Sequence, residues 1–370
     1  MKVLVAGDYC PQNRVSELIG EGNYKLFSEP LGAKYDYAIA NLECPVLTNN
    51  AKKILKSGPH LFCSSKAVDL LKQSGFSCVT LANNHTLDYG EASLLETIDI
   101  CKTAGLDTIG AGKGIEEAGR ILYKKINGEV IAIINCCEHE FSVTDGKSVG
   151  TNPLNPVQQY KDIQTARASA DYVLLIVHGG HEHYQLPTPK MIETYRFFID
   201  AGADAVVNHH QHCYSGYELY KSKPIFYGLG NFCFDWKGRE EDPKWTTGYL
   251  VNLSFKKEGT TFEILPYYQC TKQNSSVQMV APLSFDQQIG KLNEIIANHT
   301  LFEQATKSFY ESKYKEIEAT LSPLEGRILF SLILRGWFPS LLSKKKKALL
   351  RLYFDCDVHR DKVLQYLKNK

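Results

Sequence analysis

The chain has 370 residues, 44% of them hydrophobic and 22% charged, which fits one large globular domain with a smaller region beside it. Its formal net charge of +1 removes any whole-molecule electrostatic case for nucleic acid as a partner, so a basic function has to be local.

The N-terminal Met-Lys-Val-Leu-Val-Ala-Gly-Asp is predicted as a strand over 2–6 that runs straight into an acid. Further strands are predicted at 37–40 and 78–82, then a helix over 91–104, a strand at 130–135 and a helix over 157–170. A strand at 172–177 leads to a helix over 189–201, with Thr188 as its N-cap, Pro189 in the first turn and Gly202 behind it. The strand at 205–207 closes this alternation, which argues for a layered α/β domain. From 213 onward, strands at 213–220, 224–227, 249–255 and 261–265 succeed one another through short turns, as expected of a second, more antiparallel sheet. Two sheets packed as a sandwich with helices outside is the architecture this order suggests. Helical spacing takes over at 285–297, 301–319, 323–334 and 341–353, so a domain over 1–283 is expected to carry a helical C-terminal extension over 284–370.

The residues just past each strand carry the chemistry. The strand ends deliver Asp8, then Asn41-Leu42-Glu43, then Asn83-Asn84-His85, then His178, then Asn208-His209-His210-Gln211-His212. In an open α/β sheet ligands bind at the carboxyl ends of strands. Taken singly, Asp8 could cap a turn, Asn83 and Asn84 could supply turn conformations, and one histidine after a strand is commonly a satisfied turn residue. Their joint occurrence at five strand ends is what that explanation misses. His210 and His212 are spaced to share one face of an extended segment, which suits two metals in one site or one metal with a neighbouring donor. Imidazoles with carboxylates and an amide oxygen match Mn²⁺, Zn²⁺ or Fe²⁺ better than Ca²⁺. Two such ions about 3.5–4 Å apart can clamp the attacking and leaving oxygens of a transfer reaction. His85 is placed to protonate a leaving group, with Asp88 to orient its ring.

The runs GDYCP (7–11), NLECPVL (41–47), LANNHTLDYG (81–90), HGGHEHYQLPTP (178–189), NHHQHCYSGYELY (208–220) and PIFYGLGNFCFD (224–235) closely resemble the bacterial capsule-synthesis family CapA. That family is also named for poly-γ-glutamate capsule synthesis and belongs to the calcineurin-like metallophosphoesterase superfamily. The resemblance covers roughly residues 1–270 and implies a four-layer α/β/β/α sandwich with a dinuclear metal centre. It implies Asp8, Glu43 and His212 on one metal, and Glu43 as the bridge with Asn84, His178 and His210 on the other. His85 matches the superfamily's proton-donating histidine. Cys10 stands where many metallophosphoesterases have a ligand histidine. His178-Gly179-Gly180 replaces the family's His-Trp-Gly, a change that suggests a pocket widened by the loss of an indole. Asn208-His209-His210-Gln211-His212 replaces Gly-His-His-Pro-His. Candidate substrate contacts are His181 and Glu182, the latter aligned with the family's loop acid, together with Asn83, His209 and Asn231; a solvated loop is the alternative for the first two. The 227–232 run resembles the family's closing motif, whose glycines permit close backbone approach, although a plain turn explains them too. Glu138-His139-Glu140 is read as peripheral or structural.

Residues 327–351 hold seven basic side chains, no acid, and several large apolar ones including Trp337. Such a stretch can lie on an anionic membrane, dock on a partner, or pack as a lid with a solvated lysine run. The function expected is a metal-dependent hydrolase of phosphoester, ester or amide bonds in capsule, poly-γ-glutamate or other cell-surface polymer metabolism. Its partner would be that polymer or a precursor. The alternative is a non-catalytic accessory or polymer-binding subunit. Eleven cysteines show no pairing logic, and neither a signal-peptide pattern nor an apolar stretch of about 20 residues is present, so a cytoplasmic location with reduced thiols is expected.

Overall fold

The computed structural model describes residues 1–22, 24–27, 30–49, 51–322 and 326–368. The opening run forms β1 (Lys2–Tyr9), and β2 (Tyr37–Leu42), β3 (Cys78–Thr80) and β4 (Asp107–Ile109) line up parallel to it in turn. Helices α1 (Asn13–Glu21), α2 (Ser65–Gln73) and α3 (Gly90–Thr103) belong to the crossovers between them. A two-residue ladder of β5 (Ala111–Gly112) and β8 (Gly150–Thr151) brackets the short α4 (Ile115–Ala118) and the hairpin β6 (Leu122–Ile126)–β7 (Glu129–Cys137). Next come α5 (Pro156–Arg167), β9 (Tyr172–His178), α6 (Pro189–Asp200) and β10 (Ala205–His209), with β7, β9 and β10 mutually parallel. Thr188 caps α6 by accepting the Met191 N–H at 3.1 Å, and Pro189 takes the first turn as its spacing predicts.

The strands after 213 depart from the sequence expectation. They do not build a sheet of their own. The hairpin β11 (Tyr217–Tyr220)–β12 (Lys223–Phe226) extends the sheet of β10, giving the order β11-β12-β10-β9-β7-β6. After the single-turn α7 (Pro243–Thr246), β13 (Thr247–Lys256) returns to pair antiparallel with β1. Beyond it lie β14 (Gly259–Gln269) and β15 (Val277–Met279), giving β15-β14-β13-β1-β2-β3-β4. Both sheets are therefore mixed. The free edge of β1 explains this, since its unpaired N–H and C=O groups need a partner and β13 supplies one.

Side-chain alternation sorts the layers. Val3 and Val5 of β1 meet Ile131, Ile133, Leu174, Ile176 and Val207 between the sheets. Leu4 and Ala6 point the other way, to Val68, Leu71 and Leu94 of α2 and α3. With α5 and α6 on the outer face of the second sheet, the result is a four-layer α/β/β/α sandwich, and strands buried on both faces read as continuous apolar runs. Each such side chain contributes about 1.5–3 kcal/mol by leaving water.

The chain divides into two compact units, 1–298 and 299–370. The first runs through α8 (Pro282–Ala297), where Asn293 accepts the Tyr217 N–H at 2.7 Å and Phe285 packs on Tyr214. The second holds α9 (His299–Thr320), α10 (Arg327–Leu334), α11 (Lys344–Asp355) and α12 (Asp357–Lys368). Residues 323–325 of the helix expected over 323–334 lie outside the described residues. Among the described residues no helix is long and apolar enough to cross a membrane.

Candidate metal centre

The carboxyl ends of both sheets meet at one rim. Asp8 is on β1, Glu43 directly follows β2, and Asn84 follows β3. From the other sheet, His178 ends β9 while His210 and His212 follow β10. An extra residue on β1 between Val5 and Asp8 breaks the register with β2 and re-aims Asp8. Gly7 is required there, because a Cβ would fall 1.9 Å from the Gly230 carbonyl oxygen. His210 and His212 both have positive φ, +93° and +53°, a left-handed backbone that costs energy in non-glycine residues and is common where function sets geometry.

All six side chains are buried and converge. Two groups of donors lie within 4.8 Å of one another: Glu43, His178 and His210, and Asp8, Glu43 and His212. Glu43 belongs to both. His178 Nε2 sits 3.0 Å from Asn84 Oδ1, 3.0 Å from His210 Nδ1 and 3.5 Å from Glu43 Oε1. His212 Nε2 is 3.6 Å from Glu43 Oε1. Burial, with Asp8 beside it, pushes the Glu43 carboxyl well above its usual range. Burial and then His210 push His178 well down, and burial brings His212 down to about 3 despite Asp8. These two imidazoles are thus neutral, the form that ligates metals.

Whether a cation fits can be judged from Glu43. Neither of its oxygens has a hydrogen-bond partner although both are fully buried. A buried carboxylate left this way is expensive, and carboxylate oxygens aimed at neutral imidazoles and an amide oxygen form the donor set of a divalent ion. The residues fit the group.

A surrounding shell fixes these atoms. Asn41 donates to Asp8 Oδ1 at 2.8 Å and lies 3.3 Å from His178 Nδ1, while the His210 N–H donates to Asp8 Oδ2 at 3.0 Å. His212 Nδ1 faces Asn231 Oδ1 at 2.9 Å, which leaves Nε2 for Glu43. His85 Nδ1 is 2.7 Å from Asp88 Oδ2, and its ring lines a pocket of about 180 Å³ with His212, Glu182, His183, Phe234, Trp236, Arg239 and Trp245. Larger depressions of about 550 and 460 Å³ contain none of the strand-end donors.

The expected substrate contacts divide. Glu182 is exposed and lines the pocket; His181 is half-buried in the same loop. Asn83, His209 and Asn231 are buried: Asn83 bonds to Asn41, Leu42, His85 and Thr86, His209 ends β10 with its ring pushed down by burial, and Asn231 holds His212. Cys10 packs in the core under α2 with Cys44 and Cys63 and joins neither donor group. The widened pocket expected from Gly179 does not form. A Cβ there would stand 2.7 Å from Glu138 Cδ, so the Glu138 side chain fills the space, and its Oε2 accepts the Gly180 N–H at 3.1 Å. Glu140, read as peripheral, lies 3.5 Å from His210 Nε2. Sequence reasoning missed the indoles of Trp236 and Trp245; they come soon after the GNF run, which was the available signal.

Two mixed sheets present carboxylates, an amide and three imidazoles at a common rim, a donor set that could hold divalent metal ions. The chain belongs to the bacterial capsule synthesis protein family PGA_cap, which matches residues 2–236. It is 32% identical over 246 residues to the capsule biosynthesis protein CapA of Bacillus anthracis, a match covering 64% of this chain and 60% of the relative. It is also 32% identical over 264 residues to the PGA biosynthesis protein CapA of Bacillus subtilis (strain 168), covering 68% and 67% respectively. The matched region thus spans about 60% of the length of the Bacillus anthracis relative. Among solved structures, the 5'-nucleotidase of Candida albicans SC5314 aligns with a TM-score of 0.40 and 10% identity, covering 86% of this chain and 57% of that one.

Proposed function

We propose that this protein is a metal-dependent hydrolase of the phosphoesterase type, acting in capsule, poly-γ-glutamate or related cell-surface polymer metabolism on a phosphoester, ester or amide bond. The observation that carries the reading is Glu43, buried, without a hydrogen-bond partner and common to both donor groups. Asp8, Glu43 and His212 would hold one divalent ion, Mn, Zn or Fe, and Glu43, Asn84, His178 and His210 a second. Such ions supply Lewis-acid stabilisation and an activated water. His85, its Nδ1 fixed by Asp88, meets the leaving group through Nε2 and donates a proton there. Trp236, Trp245 and Phe234 exclude water from the mouth, and Arg239 and Glu182 at its edge select the polymer or precursor. Metal analysis of the purified protein, with a subsequent phosphoesterase screen in added Mn²⁺, tests this: bound metal with turnover supports it, and protein that takes up no metal refutes it.

A second reading is an accessory, polymer-binding role without turnover. It is favoured by Cys10, whose place in the core leaves three donors for the ion at Asp8. Metal uptake with polymer binding and no hydrolysis would select it. Residues 327–351, basic and with Ile328 and Trp337 more than 70% exposed, are proposed as a peripheral membrane contact.

A further inference from the structure

Lys56 comes from a loop without regular structure, yet its side chain is 1% exposed. Its ammonium pairs with Asp88 Oδ1, lies 3.0 Å from His85 Nδ1 and stands 5.3 Å from the centre of the Phe141 ring. The loop is tied down around the same turn: Lys52 N–H donates to the Tyr89 carbonyl and Ile54 N–H to that of Asp88. Asp88 is thereby divided. Oδ1 takes the ammonium, while Oδ2 accepts from Leu61 N–H at 2.7 Å and faces His85 Nδ1 at 2.7 Å.

A buried ion pair is a poor source of stability, because desolvating both charges offsets most of their attraction and an apolar pair of similar volume serves as well. A lysine buried against the one carboxylate that orients His85 calls for another explanation. We infer that Lys56 is a positioning residue for His85. By holding Oδ1 it stops the Asp88 carboxylate from rotating, so Oδ2 stays in the imidazole plane as acceptor for Nδ1–H and Nε2 stays aimed into the pocket. Removing the ammonium frees the carboxylate and lets the ring exchange tautomers and tilt.

This rests on the hydrolase reading, and the test separates the two. In full-length protein loaded with Zn²⁺ and labelled in histidine, the His85 ring, assigned through His85→Asn, should show the Nδ1–H tautomer at alkaline pH. Lys56→Met should mix the tautomers and Lys56→Arg should restore the first. With an alkyl phosphate, Lys56→Met should lower kcat about tenfold to a hundredfold, less than the about 10²–10⁴ expected for losing the general acid itself, and leave KM nearly unchanged. Nitrophenyl phosphate, whose leaving group needs little protonation, should change much less. The double variant Lys56→Met/His85→Asn should be no slower than His85→Asn alone. An unchanged His85 tautomer together with additive kinetic losses would overturn the inference. Absence of turnover in the unsubstituted protein would sink the hydrolase reading while the ring spectra still decide for or against Lys56. If Lys56→Met does not fold, Lys56→Gln carries the same comparisons.

Discussion

Glu43 offers the sharpest quantitative test of the centre. Glu43→Gln keeps the shape of the side chain and removes its charge. Both oxygens are fully buried without a hydrogen-bond partner, and an unsatisfied buried polar group costs about 1–3 kcal/mol, more when charged. Gln still buries two polar atoms there, so what it relieves in chelator is the cost tied to ionisation, and above about pH 5 the variant should be the more stable by up to about 1–3 kcal/mol, which for a unit this large is about 2–4 °C in Tm per kcal/mol. The pH dependence has a definite sign. A carboxyl whose folded-state pKa is raised above its ordinary 4.5 binds more protons folded than unfolded, so the parent loses stability as pH climbs through that window. The advantage of Glu43→Gln should accordingly be larger at about pH 7 than at about pH 5. Metal should reverse the ranking, since an ion at a hundred times its Kd stabilises the parent by about 2.7 kcal/mol and the variant loses a ligand common to both groups. Thermal melts with chelator and with Mn²⁺, at both pH values, give the four numbers needed. A variant less stable than the parent in chelator, or one that keeps the full metal-induced rise, would refute the reasoning.

Three further outcomes are expected. His85→Asn should retain metal at parental stoichiometry while turnover falls by about 10²–10⁴; His210→Ala and His212→Ala should lose metal affinity first, with partial rescue by excess ion, and metal loss in His85→Asn would make that residue a ligand. In chelator, and with Glu43→Gln as background, stability should fall below about pH 6.5, because His178 and His212 have lowered folded-state values and the unfolded chain takes up their protons first, at about 1.4 kcal/mol per pH unit for each. A Tm that stays flat between about pH 7 and pH 5 would show those rings to be protonated when folded. For the second unit, full-length protein should sediment with anionic liposomes at low salt and release as salt rises, and glutamine at 344–347 should abolish this; binding untouched by the substitution would leave those lysines a solvated run.

Much of the centre was legible because ligand-type residues ended successive apolar runs, and strand alternation carried Asp8, Glu43, Asn84, His178, His210 and His212 to one rim. The assignment of strands to sheets was not, since nothing local to 247–256 says that it pairs with β1 about 250 residues earlier. The filling of the Gly179 space by Glu138 was equally hidden, because it depends on β7 lying beside β9, a contact with no sequence signature. Lys56 lies in an aperiodic loop, where one lysine among several carries no mark of burial. Asn41 was read as part of a strand end and turns out to hold two of the candidate ligands at once.

The six donors are shared evenly, three from the strand ends of the β1 sheet and three from those of the β9 sheet. Any ion held in common is therefore a clasp between the sheets, closing loops of well over a hundred residues in the way a covalent cross-link would. Loading it should suppress partial opening of the sandwich from that rim far more than it protects either sheet's outer strands. Hydrogen exchange would then slow first at β1, β2, β9 and β10, and metal-free protein would offer an added protease a looser molecule at that same seam.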